Sequence, residues 1–276
     1  MVIDFHTHIF PDKIAAGSIS HLEKASGITA ATDGTLRGLL NSMEKTGVDM
    51  SVILPVVTKP YQFESVNQFA AQVNQKYKGK LISFGGIHPD SEDYKKELDK
   101  IKELGLPGIK LHPDYQKVMI DDERNMRIIE YADSLGLMIL VHAGIDIGLP
   151  TPVHCPPEKA ARVIDALRPK KMILAHLGGW KQWEDVYELL AGKDVYLDTS
   201  FTFDYMEQDF FLKILEKHGH EKVLFATDSP WSDVGKAVEV VRNMPLSHDK
   251  IEDILAGNAR KLLSLYESSG HSYRHI

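Results

Sequence analysis

His6 and His8 stand one residue apart at the end of an apolar run, Val2 to Phe5. In an extended strand alternate side chains share a face, so the two imidazoles project together and can offer lone pairs to one ion. Four further runs end in residues of similar chemistry. Gly108 to Leu111 carries Lys110 and leads into His112, Leu137 to Val141 leads into His142, Lys171 to Ala175 into His176, and Val223 to Thr227 into Asp228. Lys110 and His112 again share a face. Below the tips the same parity places apolar residues, Met138 and Leu140 under His142, and Leu224 and Ala226 under Asp228. Imidazoles and a carboxylate converging without partners would be costly to bury, whereas a divalent cation takes up their lone pairs. A lone His-x-His pair is a weak signal. Its joint occurrence with three other strand-final ligands is what points to a metal site.

The elements that must position these groups form a regular series. Three more runs, Ser51 to Val57, Leu81 to Ile87 and Val195 to Asp198, bring the count to eight. Between them lie segments of helical period: Leu36, Leu39, Leu40 and Met43 follow it, as do Val66, Phe69, Ala70 and Val73. Gly47, Gly79, Gly105, Gly136 and Gly192 each precede a run, where a helix ends and the chain turns. Eight alternating βα units in 276 residues predict a closed (β/α)8 TIM barrel of class α/β, occupying residues 1–276 as a single domain. In such a barrel the carboxyl ends of the strands carry the chemistry. Two long connections, 10–34 and 144–157, are expected to overhang that mouth. A further C-terminal helix is predicted over about 250–268, followed by a loose tail over 270–276.

Composition excludes several classes. The net charge is −7 and there is no basic block, so no nucleic-acid footprint is present. No apolar run approaches the ~20 residues of a membrane helix, and the first residues lack the pattern of a signal peptide. Cys155 is the single cysteine, which rules out an internal disulfide and agrees with a reducing compartment. A cytoplasmic protein acting on a small molecule is expected, with no nucleic-acid or membrane partner and with a homo-oligomer left open.

Six motifs in order resemble the amidohydrolase superfamily, within it the group of metal-dependent hydrolases that includes aminocarboxymuconate-semialdehyde decarboxylase. They are Asp4-Phe5-His6-Thr7-His8, Gly108-Ile109-Lys110-Leu111-His112-Pro113, Val141-His142-Ala143-Gly144, Ala175-His176-Leu177-Gly178-Gly179, Thr227-Asp228-Ser229-Pro230-Trp231 and Gly257-Asn258-Ala259. The resemblance covers nearly the whole chain. It implies that His6, His8, His142 and Asp228 bind a metal, and that His176 acts on metal-bound water as acid and base, with Asp228 sharing the proton transfer. Such a ligand set suits one Zn²⁺ best, with Mn²⁺, Fe²⁺, Co²⁺ and Ni²⁺ as alternatives and a second ion left open.

Lys110 needs an explanation, because an ammonium beside a divalent cation is repelled. It pairs with a substrate carboxylate, or with a local carboxylate such as Asp228, or it is carbamylated and bridges two metals, in which case His142 and His176 bind the second. His112, His88 and Trp231 are secondary candidates for substrate or a second metal, each with a packing or loop-bonding role as the alternative. Asp146, His154 and Cys155 on the long fifth connection are read as ordinary loop residues, with a part in shaping the substrate pocket as the alternative, and Cys155 is not expected to be a nucleophile. Hydrolysis of a small ester, lactone or amide by metal-activated water is the leading expectation. Its alternative is non-oxidative decarboxylation or hydration of a small carboxylated substrate. Only Lys59, Lys110 and Lys181 stand near strand ends to meet a carboxylate, which favours hydrolysis. A non-catalytic metal-binding barrel is the third reading.

Overall fold

The computed structural model describes residues 1–268. In chain order the elements are β1 (Ile3–Thr7), α1 (Asp12–Ser26), α2 (Leu36–Thr46), β2 (Met50–Ile53), α3 (Phe63–Lys76), β3 (Leu81–Ser83), β4 (Gly85–Gly86) and α4 (Tyr94–Glu103). There follow β5 (Gly108–Leu111), α5 (Pro113–Gln116), α6 (Glu123–Ser134), β6 (Met138–Val141), α7 (Pro157–Leu167), β7 (Met172–Leu174), α8 (Trp183–Leu189) and β8 (Tyr196–Asp198). The series ends with α9 (Gln208–His218), β9 (Val223–Leu224), α10 (Val234–Arg242), α11 (His248–Glu252) and α12 (Asn258–Ser268).

Every strand pair is parallel, in the order β1-β2-β3 and then β4 through β9. β3 and β4 are two halves of one stave interrupted at Phe84, whose N–H still bonds the Ile53 carbonyl of β2 at 2.9 Å. The ring closes where the chain beyond β9 meets β1: Phe5 N–H bonds Phe225 O at 2.9 Å and Asp228 N–H bonds His6 O at 2.8 Å. The eight runs of the sequence are thus the eight staves of a closed TIM barrel. Leu140, Leu174 and Leu224 are fully buried beneath the mouth, as the parity of their strands requires.

The outer helices follow their apolar periods. Leu39 and Met43 turn inward from α2, Thr35 caps its first turn by accepting from Gly38 N–H at 2.9 Å, and Gly47 ends it in the left-handed region. The predicted C-terminal helix is present in pieces: α11, a π-helical turn over 253–257, and α12. Asn258 Nδ2 donates to the carbonyls of His220 and Val223 at 2.7 and 2.9 Å, which ties this segment to the start of β9. The expected tail over 270–276 lies outside the described residues. Among the described residues no helix is long and apolar enough to cross a membrane.

The two long connections differ from their sequence reading in opposite ways. The stretch 10–34 holds a full helix, α1, which buries Ala15 and Ile19. The stretch 144–157 has no helix but is fastened: Gly144 N–H bonds Cys155 O, and Ile120 N–H bonds His154 O, both at 2.9 Å. Gly144 itself is dictated by a close approach, since a Cβ there would stand 2.0 Å from Trp180 N.

Candidate metal centre

His6 and His8 leave the end of β1 on the inner face. His6 Nδ1–H donates to the Asp198 carboxylate at 2.8 Å, and His8 Nδ1–H donates to the Leu54 carbonyl at 2.8 Å. Each partner can only accept, so each ring keeps its lone pair on Nε2. Those two Nε2 atoms lie 3.1 Å apart, and Asp228 Oδ1 stands 3.4 Å from His6 Nε2 and 3.1 Å from His8 Nε2. Three electron-rich atoms therefore face one another. Burial would raise the Asp228 carboxyl, yet it is held down at about 2, so it is ionised. His6 is held neutral, first by burial and then by the Lys110 ammonium.

This geometry fits a metal ion. Donors about 2.1 Å from one ion are about 3.0–3.4 Å from each other at right or tetrahedral angles, which is the spacing found here. Two imidazoles whose outer N–H groups are anchored by Asp198 and Leu54 also match the support that metal-bound histidines need.

Lys110, from β5, is completely buried with Nζ 3.2 Å from His6 Nε2. Burial lowers its pKa to about 8 against the opposing pull of Asp198, Asp228 and Asp146. Among the described residues no carboxylate oxygen lies within 4.0 Å of Nζ. The pairing with Asp228 considered from the sequence is thus not formed.

His176 and His142 make a directed chain. His176 Nδ1–H donates to Ser200 O at 3.0 Å, leaving Nε2 to accept from His142 Nδ1–H at 2.9 Å. The His142 lone pair is therefore on Nε2. His142 is grouped not with His6, His8 and Asp228 but with His112 and Asp146, one donor atom from each lying within 4.8 Å of the others. Burial lowers the pKa of His112, His142 and His176, so all three rings are neutral. His112 stacks on His142 at 4.1 Å between centroids and on Tyr115 at 4.0 Å. His88 lies apart from both groups and accepts from Asp90 N–H at 3.1 Å, the loop-bonding alternative. Trp231 is half-buried and its backbone N–H bonds Asp228 O at 2.9 Å. His176 and Asp228 both have positive φ, 58° and 65°, a backbone state that non-glycine residues hold only when their surroundings enforce it.

Several participants were not singled out in the sequence. Asp198 ends the seventh run and would have been found by the rule that found the others, had it been applied there. Asp114 could not be, because folding of the 144–157 stretch is what gathers it, while Asp146 reads from the sequence only as a residue of that connection. Cys155, by contrast, is buried with its thiol pKa pushed up, and it takes no part in the site.

The whole-chain comparisons agree with this architecture. The 5-carboxyvanillate decarboxylase of Sphingomonas paucimobilis shares 17% identity and a TM-score of 0.69, covering 96% of this chain and 99% of its own. A dihydroxybenzoic acid decarboxylase from Polaromonas, solved with manganese and an inhibitor, gives 16%, 0.71, and 99% of both chains. An uncharacterized TIM-barrel protein from Bordetella bronchiseptica gives 18%, 0.77, and 96% and 99%. At such identities the likeness establishes the fold. No curated protein matches the sequence. Residues 3–265 match the family Amidohydro_2, described as amidohydrolase, and with His6, His8 and Asp228 converging at the barrel mouth the chain belongs to that family.

Proposed function

We propose that the protein is a metal-dependent decarboxylase of a small carboxylated substrate. The observation that carries this reading is Lys110, a fully buried cation beside the candidate metal-ligating group with no carboxylate oxygen within 4.0 Å among the described residues. A charged group so placed is stabilised by an anion arriving from outside, and a substrate carboxylate is the simplest one. From sequence alone three scattered lysines were a weak case for decarboxylation. One lysine inside the site is a stronger one, and two of the structural relatives named above are decarboxylases.

The reaction breaks the carbon–carbon bond to the carboxylate, releases CO₂ and puts a proton on the remaining carbon. A bound ion would supply Lewis acidity toward a substrate oxygen as that bond breaks. His6, His8 and ionised Asp228 would hold it; Zn²⁺ suits this donor set, and Mn²⁺ is the other ion to test. His142 remains the proposed fourth ligand only if its Nε2 turns from the His112 group. Lys110 orients the carboxylate, and His176, once its Nε2 lone pair is released from His142, takes up a proton given by the bound substrate's hydroxyl or by water and returns it to the carbon that loses CO₂.

A screen of carboxylated aromatics, esters and lactones with metal-loaded protein tests the assignment. CO₂ release from a carboxylated compound is expected, with kcat/KM falling ten- to hundred-fold in Lys110→Met, the range for losing a hydrogen bond to a charged group, about 1.5–3 kcal/mol. Ester or lactone hydrolysis without CO₂ release would overturn it in favour of the hydrolytic reading.

A further inference from the structure

One carboxylate at the mouth is used neither by the three converging donors nor by the chain of rings behind them. Asp146 sits in the 144–157 connection, where its Oδ1 accepts from Gly148 N–H at 2.8 Å and its backbone carbonyl accepts from Leu149 N–H at 3.0 Å. That turn spends one oxygen and fixes the direction of the other. Oδ2 is aimed at the strand ends, 3.5 Å from His112 Nε2, on a side chain only 10% exposed. Burial dominates the pKa values of Lys110 and Asp146, but Lys110 also registers the charge of Asp146, and Asp146 that of Asp228. The carboxylate therefore faces the same space as both.

Oδ2 is short of donors. A separation of 3.5 Å is beyond the ordinary length of an N–H···O bond, and among the described residues no hydrogen bond to Oδ2 forms. His112 cannot move to close the gap, because its ring is held between those of Tyr115 and His142, at 4.0 and 4.1 Å between centroids. Burial raises the Asp146 carboxyl to about 6 while the Gly148 N–H pulls the other way, so it is ionised at neutral pH. A nearly buried carboxylate oxygen without a donor costs free energy, and a donor brought by a ligand removes that cost.

We propose that Asp146 sets the substrate specificity of the centre, its Oδ2 accepting a hydrogen bond from a hydroxyl group of the molecule whose carboxylate meets Lys110. This rests on the reading of Lys110 as the carboxylate's partner. An ammonium in place of the hydroxyl would be repelled by Lys110, and a second carboxylate by Asp146, whereas a hydroxyl carries no charge and donates.

The probes are benzoate, the ortho, meta and para isomers of hydroxybenzoate, and the matching methoxybenzoates, titrated calorimetrically into Zn²⁺-loaded protein. At least one hydroxy isomer should bind ten- to hundred-fold more tightly than both its methoxy counterpart and benzoate, the range for a hydrogen bond to a charged group. In Asp146→Asn the Gly148 N–H keeps the amide oxygen at the Oδ1 position, so the NH₂ stands where Oδ2 stood and donor meets donor. The advantage of the hydroxyl should vanish there, and in Asp146→Ala, with benzoate affinity kept. Equal affinity across the panel in the unaltered protein, absence of binding included, would overturn the proposal even if neither variant folds. So would an advantage that survives in Asp146→Asn, which would assign the hydroxyl to the metal centre. Binding is read without turnover, so a failure to release CO₂ counts against the decarboxylase reading alone.

Discussion

Asp198 governs the centre from outside the three converging donors, because its bond to His6 Nδ1–H decides which nitrogen of that ring faces inward. Its other oxygen, Oδ1, accepts from the Ser200 hydroxyl and from the backbone N–H groups of His176 and Ser200, so one carboxylate orients two functional rings. Asp198→Asn keeps the shape but weakens the acceptor toward His6. Loss of such support typically lowers metal affinity ten- to hundred-fold. Chelator competition should show a drop of that size with the fold intact by circular dichroism; unchanged affinity would show that His6 is oriented by packing instead. Asp4, below the site, illustrates the cost of such arrangements. Burial raises its carboxyl to about 7, although Thr227 and the His6 N–H bond it and pull the other way.

At the scale of elements, capping and strand parity do most of the positioning. Asp122 begins α6 by accepting from Arg124 N–H at 3.0 Å, and Arg124 bonds the same carboxylate, holding its pKa down to about 2. Asp122→Ala should destabilise the protein by about 1 kcal/mol at neutral pH, the usual worth of an N-cap. A carboxyl whose folded pKa is depressed stabilises above its unfolded value and loses that contribution as pH falls toward the folded one. The difference between variant and parent in chemical denaturation should therefore shrink between about pH 4 and pH 2. A gap that persists at pH 2 would place the effect in helix propensity and not in the carboxylate. Helix α1 shows the limit of reading elements from sequence. Pro11-Asp12 at its start and the left-handed Gly27 at its end suit a helix, but Gly17, Ser18 and Ser20 dilute the apolar period to Ala15 and Ile19, and the stretch reads from sequence as a long connection.

For the whole molecule, the barrel was legible because its eight runs and their parity are local properties, and His6, His8, Asp228 and Lys110 were legible as strand-final residues. The grouping of His142 with His112 and Asp146 was not, since it depends on how the 144–157 connection folds back across the mouth. That connection is the piece whose cooperativity with the barrel can be measured. Cys155, the only cysteine, lies at its end, fully buried, and burial together with Asp114 and Asp121 raises its thiol pKa. Its carbonyl accepts from Gly144 N–H and the neighbouring His154 carbonyl accepts from Ile120 N–H, so exposing the thiol breaks the bond that closes the connection on itself and the one that ties it to the segment before α6. If the connection belongs to the core, exposure requires global opening and its free energy equals that of unfolding. Labelling with a thiol reagent in increasing denaturant should then follow the same midpoint and slope as circular dichroism, with negligible labelling in buffer. Labelling that proceeds at low denaturant with a shallow slope would show the connection opening on its own, leaving the barrel folded beneath it.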